Sequence, residues 1–435
     1  MKGIFKKWEK LQQGPVAILG AGISGNGASA LLTKFGWDHE IYDEQGRAFT
    51  NEEARACSFV LCSPGFKQEH PWRLIAKNCG KEIVAETDFA ASFTESKIIS
   101  ITGTNGKTTL ATFLAHLWNV NGMPAIAAGN IGLPLSQVIA DGLGKDTTVF
   151  LETSSFQADD LRYTKPETVI WTNFEEDHLD HHETKQSYFN AKAKLLKLVD
   201  NGNVLIGKSV KDYADYIGYK IPMHAHIVER LDDSGVLNDK THFLESYPQA
   251  ENMALAQKYA GLENVGIEVF KEAMRSYNPE PHRLQKIETI GDATFWNDSK
   301  ATNFSSTFAA CKSFSSNLFW IGGGRRKGGL LEEFAKKLKP LVNQVFLIGE
   351  TGESLAKIFK NEGLSAILCD SLEQAVKNAF SKVTKKTDIL FSPGFASFDS
   401  FTDYADRGKS FINHVLDLKK VTTMTTHNKS IDFVH

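Results

Sequence analysis

The stretch Ile98-Ile99-Ser100-Ile101-Thr102-Gly103-Thr104-Asn105-Gly106-Lys107-Thr108-Thr109 decides the fold. An apolar, largely β-branched run meets a glycine-rich turn, which passes through Lys-Thr-Thr into an apolar-periodic segment over 110–120. That order reads as strand, loop and helix. Glycines let the loop backbone turn its N–H groups inward on an anion, and the helix N-terminus adds the positive end of its dipole. Lys107 adds a full charge, and the Thr108 hydroxyl is a hard oxygen of the kind magnesium takes. The first glycine lies two residues closer to Gly-Lys-Thr than in the standard Walker A spacing. Two readings stand, an ordinary strand–helix turn with an exposed lysine and a phosphate loop of unusual spacing; the local context favours phosphate.

A chain of 435 residues is too long for one core, and its length fits about three domains. It is 42% hydrophobic and 23% charged, the composition of a soluble globular protein. A formal net charge of -3 lacks the basic excess of a nucleic-acid surface. No apolar run is long enough to span a bilayer, and Met1-Lys2-Gly3-Ile4-Phe5-Lys6-Lys7 holds no signal-peptide core. A cytoplasmic protein without membrane insertion is expected. Cys57, Cys62, Cys79, Cys311 and Cys369 show no metal-ligand spacing and are expected to be reduced and structural.

Upstream of the loop, Val16-Ala17-Ile18-Leu19 reads as a buried strand, followed by Gly20-Ala21-Gly22-Ile23-Ser24-Gly25 and a helix over about 26–35. This is the G-x-G-x-x-G pattern in strand–helix context. A second strand, Glu40-Ile41-Tyr42, ends at Asp43, where an acidic residue can meet a ribose. NAD binding and a Rossmann-like domain that uses the turn for another ligand remain equal readings here. Phe59-Val60-Leu61-Cys62 runs into Ser63-Pro64-Gly65-Phe66, which puts both turns at the carboxyl ends of strands, where ligands sit.

Past the loop, a strand ending at Ala127-Ala128 runs into Gly129-Asn130-Ile131-Gly132. Val149-Phe150-Leu151 delivers Glu152-Thr153-Ser154-Ser155-Phe156-Gln157, and Val169-Ile170-Trp171 delivers Thr172-Asn173-Phe174-Glu175-Glu176-Asp177-His178-Leu179-Asp180. The alternation predicts an α/β domain with a parallel sheet. Between 201 and 247 the pattern breaks into short strand-like pieces that fit no clear element. Helices are expected over 251–259 and 265–275. Phe295-Trp296 then runs into Asn297-Asp298-Ser299-Lys300-Ala301-Thr302-Asn303. Strands ending at Ile321, Ile348, Leu368 and Phe391 alternate with helices over about 331–342, 353–361, 372–383 and 400–418, a second Rossmann-like pattern. The last strand empties into Ser392-Pro393-Gly394-Phe395, the tetrapeptide already met at 63–66. The polar segment after about 421 is expected to be a loose tail.

Taken singly, Glu152, Glu175, Glu176, Asp177, His178, Asp180, His181 and His182 read as solvated loop residues. Glu152 stands apart because it ends a strand beside the phosphate loop. A hard carboxylate there, with the Thr108 hydroxyl, suits Mg²⁺ bridging nucleotide phosphates. His178, at the end of the neighbouring strand, is a candidate for a second ion.

The motifs Gly103-Thr104-Asn105-Gly106-Lys107-Thr108, Gly129-Asn130-Ile131-Gly132, Glu152-Thr153-Ser154-Ser155-Phe156-Gln157, Glu176-Asp177-His178-Leu179-Asp180 and Asn297-Asp298-Ser299-Lys300-Ala301-Thr302-Asn303 stand in the order found in Mur ligases. The chain resembles that family from about 16 to 418. The first domain, the Ser-Phe-Gln variant and Ser392-Pro393-Gly394-Phe395-Ala396-Ser397 make it most similar to the branch that adds D-glutamate. The resemblance implies an α/β protein of three domains. A UDP-substrate-binding Rossmann-like domain takes 1–92, a central P-loop ATPase-type domain with a parallel sheet takes 93–281, and a Rossmann-like amino-acid-binding domain takes 282–420, ahead of a tail at 421–435. It also implies an ATP-dependent, ADP-forming amide ligase of peptidoglycan precursor synthesis. Its substrates are UDP-N-acetylmuramoyl-L-alanine, D-glutamate and ATP, and a monomer is expected. The first glycine turn then belongs to UDP and not to NAD.

By the same resemblance, Gly22, Ile23, Ser24, Asp43, Ser63 and Gly65 line the UDP site, and Asn130 binds the muramoyl part. Lys107 holds the γ-phosphate within the loop formed by Gly103, Thr104, Asn105, Gly106, Thr108 and Thr109. Thr108 and Glu152 take one Mg²⁺ and His178 the second. Lys192, by its own pattern one of several lysines on an amphipathic helix, becomes a carbamate that ligates metal, with Lys194 next if the register slips. Asn252, His282, Arg283 and Asp298 lie near ATP, and Lys300 faces ATP and the acyl phosphate. Thr302, Lys327, Ser397, Phe398 and Tyr404 hold D-glutamate. Two departures stand out. The family's Gly-x-His-Asn-x-x-Asn helix start is reduced to Tyr247-Pro248-Gln249-Ala250-Glu251-Asn252, with only Asn252 in place. Gly322-Gly323-Gly324-Arg325-Arg326-Lys327-Gly328 carries two extra arginines, so Arg326 can stand in for Lys327. The rival readings are another Mur ligase, a folylpolyglutamate synthetase-like amide ligase and, from a different class, a nicotinamide-dependent oxidoreductase.

Overall fold

Runs of aliphatic and β-branched residues ending in glycine- or hydroxyl-rich turns build three sheets among the described residues of the computed structural model, which are 2–229, 249–315, 317–326 and 329–431. Strands β1 (Val16–Leu19), β2 (His39–Tyr42), β3 (Val60–Cys62) and β4 (Ile83–Ala85) form a parallel sheet in the order β2-β1-β3-β4. The second sheet holds β5 (Ile98–Thr102), β6 (Ala125–Gly129), β7 (Thr148–Glu152), β8 (Thr168–Trp171), β9 (Asn203–Gly207) and β10 (His226–Val228). Its order is β10-β9-β8-β5-β7-β6, all parallel. Helices cover both faces, so β5, β7 and β8 are buried throughout, as their largely apolar runs require. The connection from β5 runs toward one edge, to β6, and that from its neighbour β8 toward the other, to β9, which opens the ligand crevice at the carboxyl end of β5.

The third sheet holds β11 (Gln285–Ile290), β12 (Ala293–Asn297), β13 (Asn317–Gly323), β14 (Gln344–Ile348), β15 (Ala366–Leu368) and β16 (Thr387–Phe391). Its order is β11-β12-β16-β13-β14-β15. All pairs are parallel except β11 with β12, a hairpin turned at Gly291 (φ 56°) and Asp292. The antiparallel edge strand is absent from the sequence reading, which sees a Rossmann-like beat only from β12 onward.

Contacts divide the chain into two compact units. The first comprises the described residues of Met1–Glu175, His182–Asn238 and Glu251–Tyr277; the second comprises those of Glu176–His181, Asp239–Ala250 and Asn278–His435. The first two sheets thus share one body. The helix Ile23–Lys34 crosses the helix Leu135–Ala140 at Gly27, where a Cβ would lie 2.7 Å from Ser136 Oγ. One hydrophobic cluster runs from Trp8, Leu31 and Phe89 to Leu135 and Val149. The buried Glu86 carboxylate accepts the Ser136 N–H at 2.9 Å, and Lys34 Nζ donates to Ile139 O and Ala140 O at 2.9 and 3.0 Å.

A buried ion pair adds to this junction. Arg73 donates from both terminal nitrogens to Asp160 at 2.7 and 2.8 Å. Removing one partner strands a charge, so Asp160→Ala is expected to cost about 3–5 kcal/mol, and Arg73→Met with Asp160→Leu much less. Urea denaturation of the three proteins checks the order.

Three local expectations need correction. The helix after the first glycine turn begins at Ile23, not near 26, because Gly25 lets its first turn close on Gly20 O, 1.8 Å from where a Cβ would stand. The expected loose tail continues the last helix, Tyr404–Ile431, since no glycine or proline interrupts 409–431. Within 201–247, β9, the helix Lys208–Tyr216 and β10 are ordinary elements, while 230–248 lies outside the described residues. No helix of the described residues is long and apolar enough to cross a membrane.

Candidate functional site

The loop after β5 turns on Gly103 (φ 149°) and Gly106 (φ 79°). Both need glycine for space as well as conformation. A Cβ would fall 1.9 Å from Thr172 Oγ1 at Gly103 and 2.0 Å from Asn252 Nδ2 at Gly106. Asn252 therefore packs on the loop, with Nδ2 3.4 Å from Gly106 O. The next strand's end holds the loop in place. Thr104 N–H donates to Asn173 O and Asn105 N–H to Asn173 Oδ1, while Asn173 Nδ2 and Thr172 Oγ1 donate to Asn105 O. Asn173, which no motif singled out, closes the cradle. The helix Lys107–Val120 starts directly after Gly106 and carries Thr108 and Thr109, both buried, in its first turn. Lys107 Nζ folds back on Gly103 O and Thr104 O at 3.0 and 2.9 Å.

Glu152 ends β7 between β5 and β6, opposite Ile101 and Gly129. Its Oε2 accepts from Thr108 Oγ1 at 2.6 Å and its Oε1 from Asn130 Nδ2 at 3.0 Å. A buried carboxylate and a hydroxyl at a phosphate loop form a hard-oxygen pair. That donor set fits Mg²⁺, which keeps waters and phosphate oxygens as its remaining ligands. Among the described residues no group of three His, Cys, Asp or Glu gathers as an all-protein metal site.

Lys192 lies on the helix Lys185–Ala193, 1% exposed. Its Nζ donates to Gly103 O at 2.8 Å and stands 4.8 Å from the Tyr188 ring centroid. Lys107 and Lys192 thus meet at one carbonyl oxygen. Lys194 points elsewhere, to Asp159 O and Oδ1 at 2.9 and 2.6 Å. His178 (φ 53°) belongs to Glu176–His181 in the second unit. Thr108 and Glu152, the metal-type pair at the loop, both belong to the first unit.

At the first glycine turn, Gly22 precedes the helix start at Ile23 and Ser24, and Ile23 is 63% exposed. Asp43 braces the turn: it accepts from Ala21 N–H at 3.0 Å and Gln45 N–H at 3.1 Å, which hold its carboxyl below the usual range. Ser63 abuts Gly20, and Gly65 has open space around it.

In the second unit, the loops after β12, β13 and β16 lie at the carboxyl ends of adjacent strands. Arg325 and Ala396 exchange backbone hydrogen bonds at 2.9 and 3.1 Å, which joins the glycine-arginine loop to the Ser392–Ser397 segment. Thr302 is half-buried, Ser397 is buried, and Phe398 is 59% exposed. Lys300 Nζ sits 3.8 Å from the Tyr404 ring centroid. Lys327 lies outside the described residues; Arg326 Nη2 donates to Gly329 O at 2.7 Å, along its own loop. Arg283 Nε lies 3.5 Å from Glu280 Oε2. Arg407, which carries no sequence signal beyond its helix, is 1% exposed and donates to Ser299 Oγ, Ser299 O and Phe395 O, tying two loops together.

Asp298 accepts from Ser392 Oγ at 2.7 Å and Leu284 N–H at 3.1 Å, yet burial pushes its carboxyl up to about 7. A carboxyl raised by folding adds stability below its unfolded value of 3.8, and that contribution is lost as pH rises through about 7. Asp298→Asn stays neutral throughout. Its melting temperature relative to wild type is therefore expected to rise between about pH 5 and about pH 8, as thermal scans at each pH would record.

Two family models match: the Mur ligase middle domain over residues 101–262, and the Mur ligase glutamate ligase domain over 282–395. The UDP-N-acetylmuramoylalanine--D-glutamate ligase of Prochlorococcus marinus is 32% identical, over 83% of this chain and 82% of the relative. That of Latilactobacillus sakei is 30% identical, over 93% of this chain and 97% of the relative. A crystal structure of MurF ligase from Thermotoga maritima with ADP superposes at a TM-score of 0.57. It is 17% identical and covers 87% of this chain and 98% of that one, a likeness of fold. The motifs around the phosphate loop, the three sheets and these full-length relatives agree, and the chain belongs to the Mur ligase family.

Proposed function

We infer that the chain is an ATP-dependent ligase that joins D-glutamate to UDP-N-acetylmuramoyl-L-alanine in peptidoglycan precursor synthesis, working as a monomer in the cytoplasm. The observation that carries the reading is the buried Thr108–Glu152 pair at the phosphate loop, which Asn130 joins from the exposed side, with Lys107 and Lys192 on the adjoining Gly103 carbonyl. Full-length likeness to D-glutamate ligases supports the substrate choice.

In this reading the UDP-substrate carboxylate attacks the γ-phosphorus of ATP, which gives an acyl phosphate and ADP. The D-glutamate amine then attacks the acyl carbon, loses a proton and expels phosphate, leaving an amide. Lys107 leaves its two backbone carbonyls for the γ-phosphate, whose charge the loop N–H groups share. Lys300 neutralises the acyl phosphate. Two Mg²⁺, one at Thr108 and Glu152 and one at His178, supply charge neutralisation for the phosphates when bound. Lys192, as the neutral amine, adds to CO₂ and loses a proton to become a carbamate. Its burial beside Lys107 supports this, because an anion there replaces repulsion between two cations with attraction.

Residues 1–92 take UDP at Gly22, Ile23, Ser24, Asp43, Ser63 and Gly65, with Asn130 on the muramoyl part. Residues 93–281 take ATP, and 282–420 take D-glutamate at Thr302, Lys327, Ser397, Phe398 and Tyr404. His282, Arg283, Asp298 and Asn252 attend the nucleotide. A dicarboxylate needs such a mixture of donors and cations.

Phosphate release from ATP and Mg²⁺ with UDP-N-acetylmuramoyl-L-alanine and a panel of amino acids tests the reading. Product of the mass expected for one added glutamate, with the D-isomer alone, supports it. Another amino acid giving the sole product would leave the family standing and overturn the substrate.

A further inference from the structure

Asn297 opens the 297–303 motif, and the reaction scheme leaves it without a task. It ends β12 fully buried, and its side-chain amide has three polar neighbours. Ser299 N–H lies 3.1 Å from Oδ1, the Gly408 carbonyl 3.2 Å from Nδ2, and His282 Nδ1 2.9 Å from Nδ2. A backbone N–H only donates and a carbonyl only accepts, so the first two neighbours determine which end of the amide is oxygen. Turned over, the amide would set N–H against N–H and oxygen against oxygen. Nδ2 therefore meets His282 as a donor, and Nδ1 must accept. A ring nitrogen that accepts carries no proton, which leaves His282 neutral with its proton on Nε2.

The surroundings agree. His282 is 6% exposed, and burial draws its imidazole below the ordinary range; Lys409 and Lys300 act in the same direction and Asp403 opposes them. The ring packs directly on Gly408, where a Cβ would stand 2.3 Å from Nδ1, so a glycine there is what lets the ring sit beside Asn297. Its Nε2 has no hydrogen-bond partner among the described residues, and it is not among their enclosed polar atoms. One N–H is left facing outward.

We propose that Asn297 is a positioning residue that locks His282 as the neutral Nε2–H tautomer, so that His282 meets ATP as a hydrogen-bond donor and neither as a cation nor as a base. The donor role rests on the placement of His282 beside the nucleotide under the proposed function; the tautomer does not. The acceptor is an oxygen or ring nitrogen of ATP.

Long-range ¹H–¹⁵N correlation spectra of the full chain labelled on its 13 histidines provide the test, with His282→Gln identifying the signal by its loss. Near pH 7.5 the wild-type protein should give the Nε2–H pattern; an Nδ1–H pattern or an imidazolium overturns the lock. Asn297→Asp places an acceptor against Nδ1, so the titration midpoint of His282 should rise by more than about one unit. Above that midpoint the neutral ring carries its proton on Nδ1, facing the new carboxylate, and Nε2 no longer donates, so KM for ATP measured there should rise several-fold with KM for D-glutamate unmoved. An unmoved midpoint overturns the role of Asn297. If that variant does not fold, the wild-type spectrum decides alone. Adding ATP and Mg²⁺ should shift the Nε2 signal. ATP that binds without touching that signal overturns this proposal only, whereas ATP that does not bind overturns the ligase reading as well.

Discussion

Lys107→Ala should abolish ATP-dependent phosphate release, with kcat lower by about three orders of magnitude or more. The transferred phosphoryl group gathers charge on its outer oxygens, and this ammonium is the full charge that the loop itself carries. Lys107 Nζ rests on Gly103 O and Thr104 O, so the stem already starts beside the phosphate cradle. Those carbonyls lose only a partly exposed donor on substitution, a cost of about 1 kcal/mol, and the fold should survive. The first glycine turn follows β1 in the first sheet and Lys107 follows β5 in the second, so the affinity for the UDP substrate should stay within about twofold, following the general rule that separated sites act independently. Retained turnover in a phosphate-release assay would sink the assignment of the loop.

Lys192→Ala should leave activity below about 1% of wild type, with partial recovery in added formate or acetate. The lysine is buried, and its Nζ is directed at Gly103 O, so truncation opens a small space beside the loop. A short carboxylate entering that space restores an anionic oxygen where the carbamate would stand. Rescue separates this role from simple packing, because a neutral amide of the same size should not restore turnover. Activity that is unaffected by the substitution would make Lys192 a structural lysine and remove the carbamate from the scheme.

The same contrast between local pattern and distant partner runs through the molecule. The strand–loop–helix at 98–109 was legible because turn chemistry and apolar period act over about a dozen residues, and Glu152 could be placed because a strand end is a local event. The choice between Lys192 and Lys194 was not, since the helix pattern offers both; a partner 89 residues away, Gly103, takes the first, and Asp159 takes the second. Asp43 could be placed at a strand end from local pattern, but the hydrogen bond it accepts from Ala21 N–H, 22 residues earlier, could not. Arg407 gave no signal because its partners, Ser299 and Phe395, belong to loops that only the third sheet brings together.

The sequence by itself determined the three α/β sheets, the phosphate loop, the carboxylate beside it and the family, because each is written in contiguous residues whose periodicity and turn chemistry need no partner. The tertiary structure alone decided that the first two sheets share one body, that the last helix runs on to Ile431, that Lys107 and Lys192 meet at one carbonyl, and that His282 Nδ1 meets the Asn297 amide. Those outcomes are set by burial and by donors matched to acceptors across the chain, and no window of sequence contains both members of such a pair.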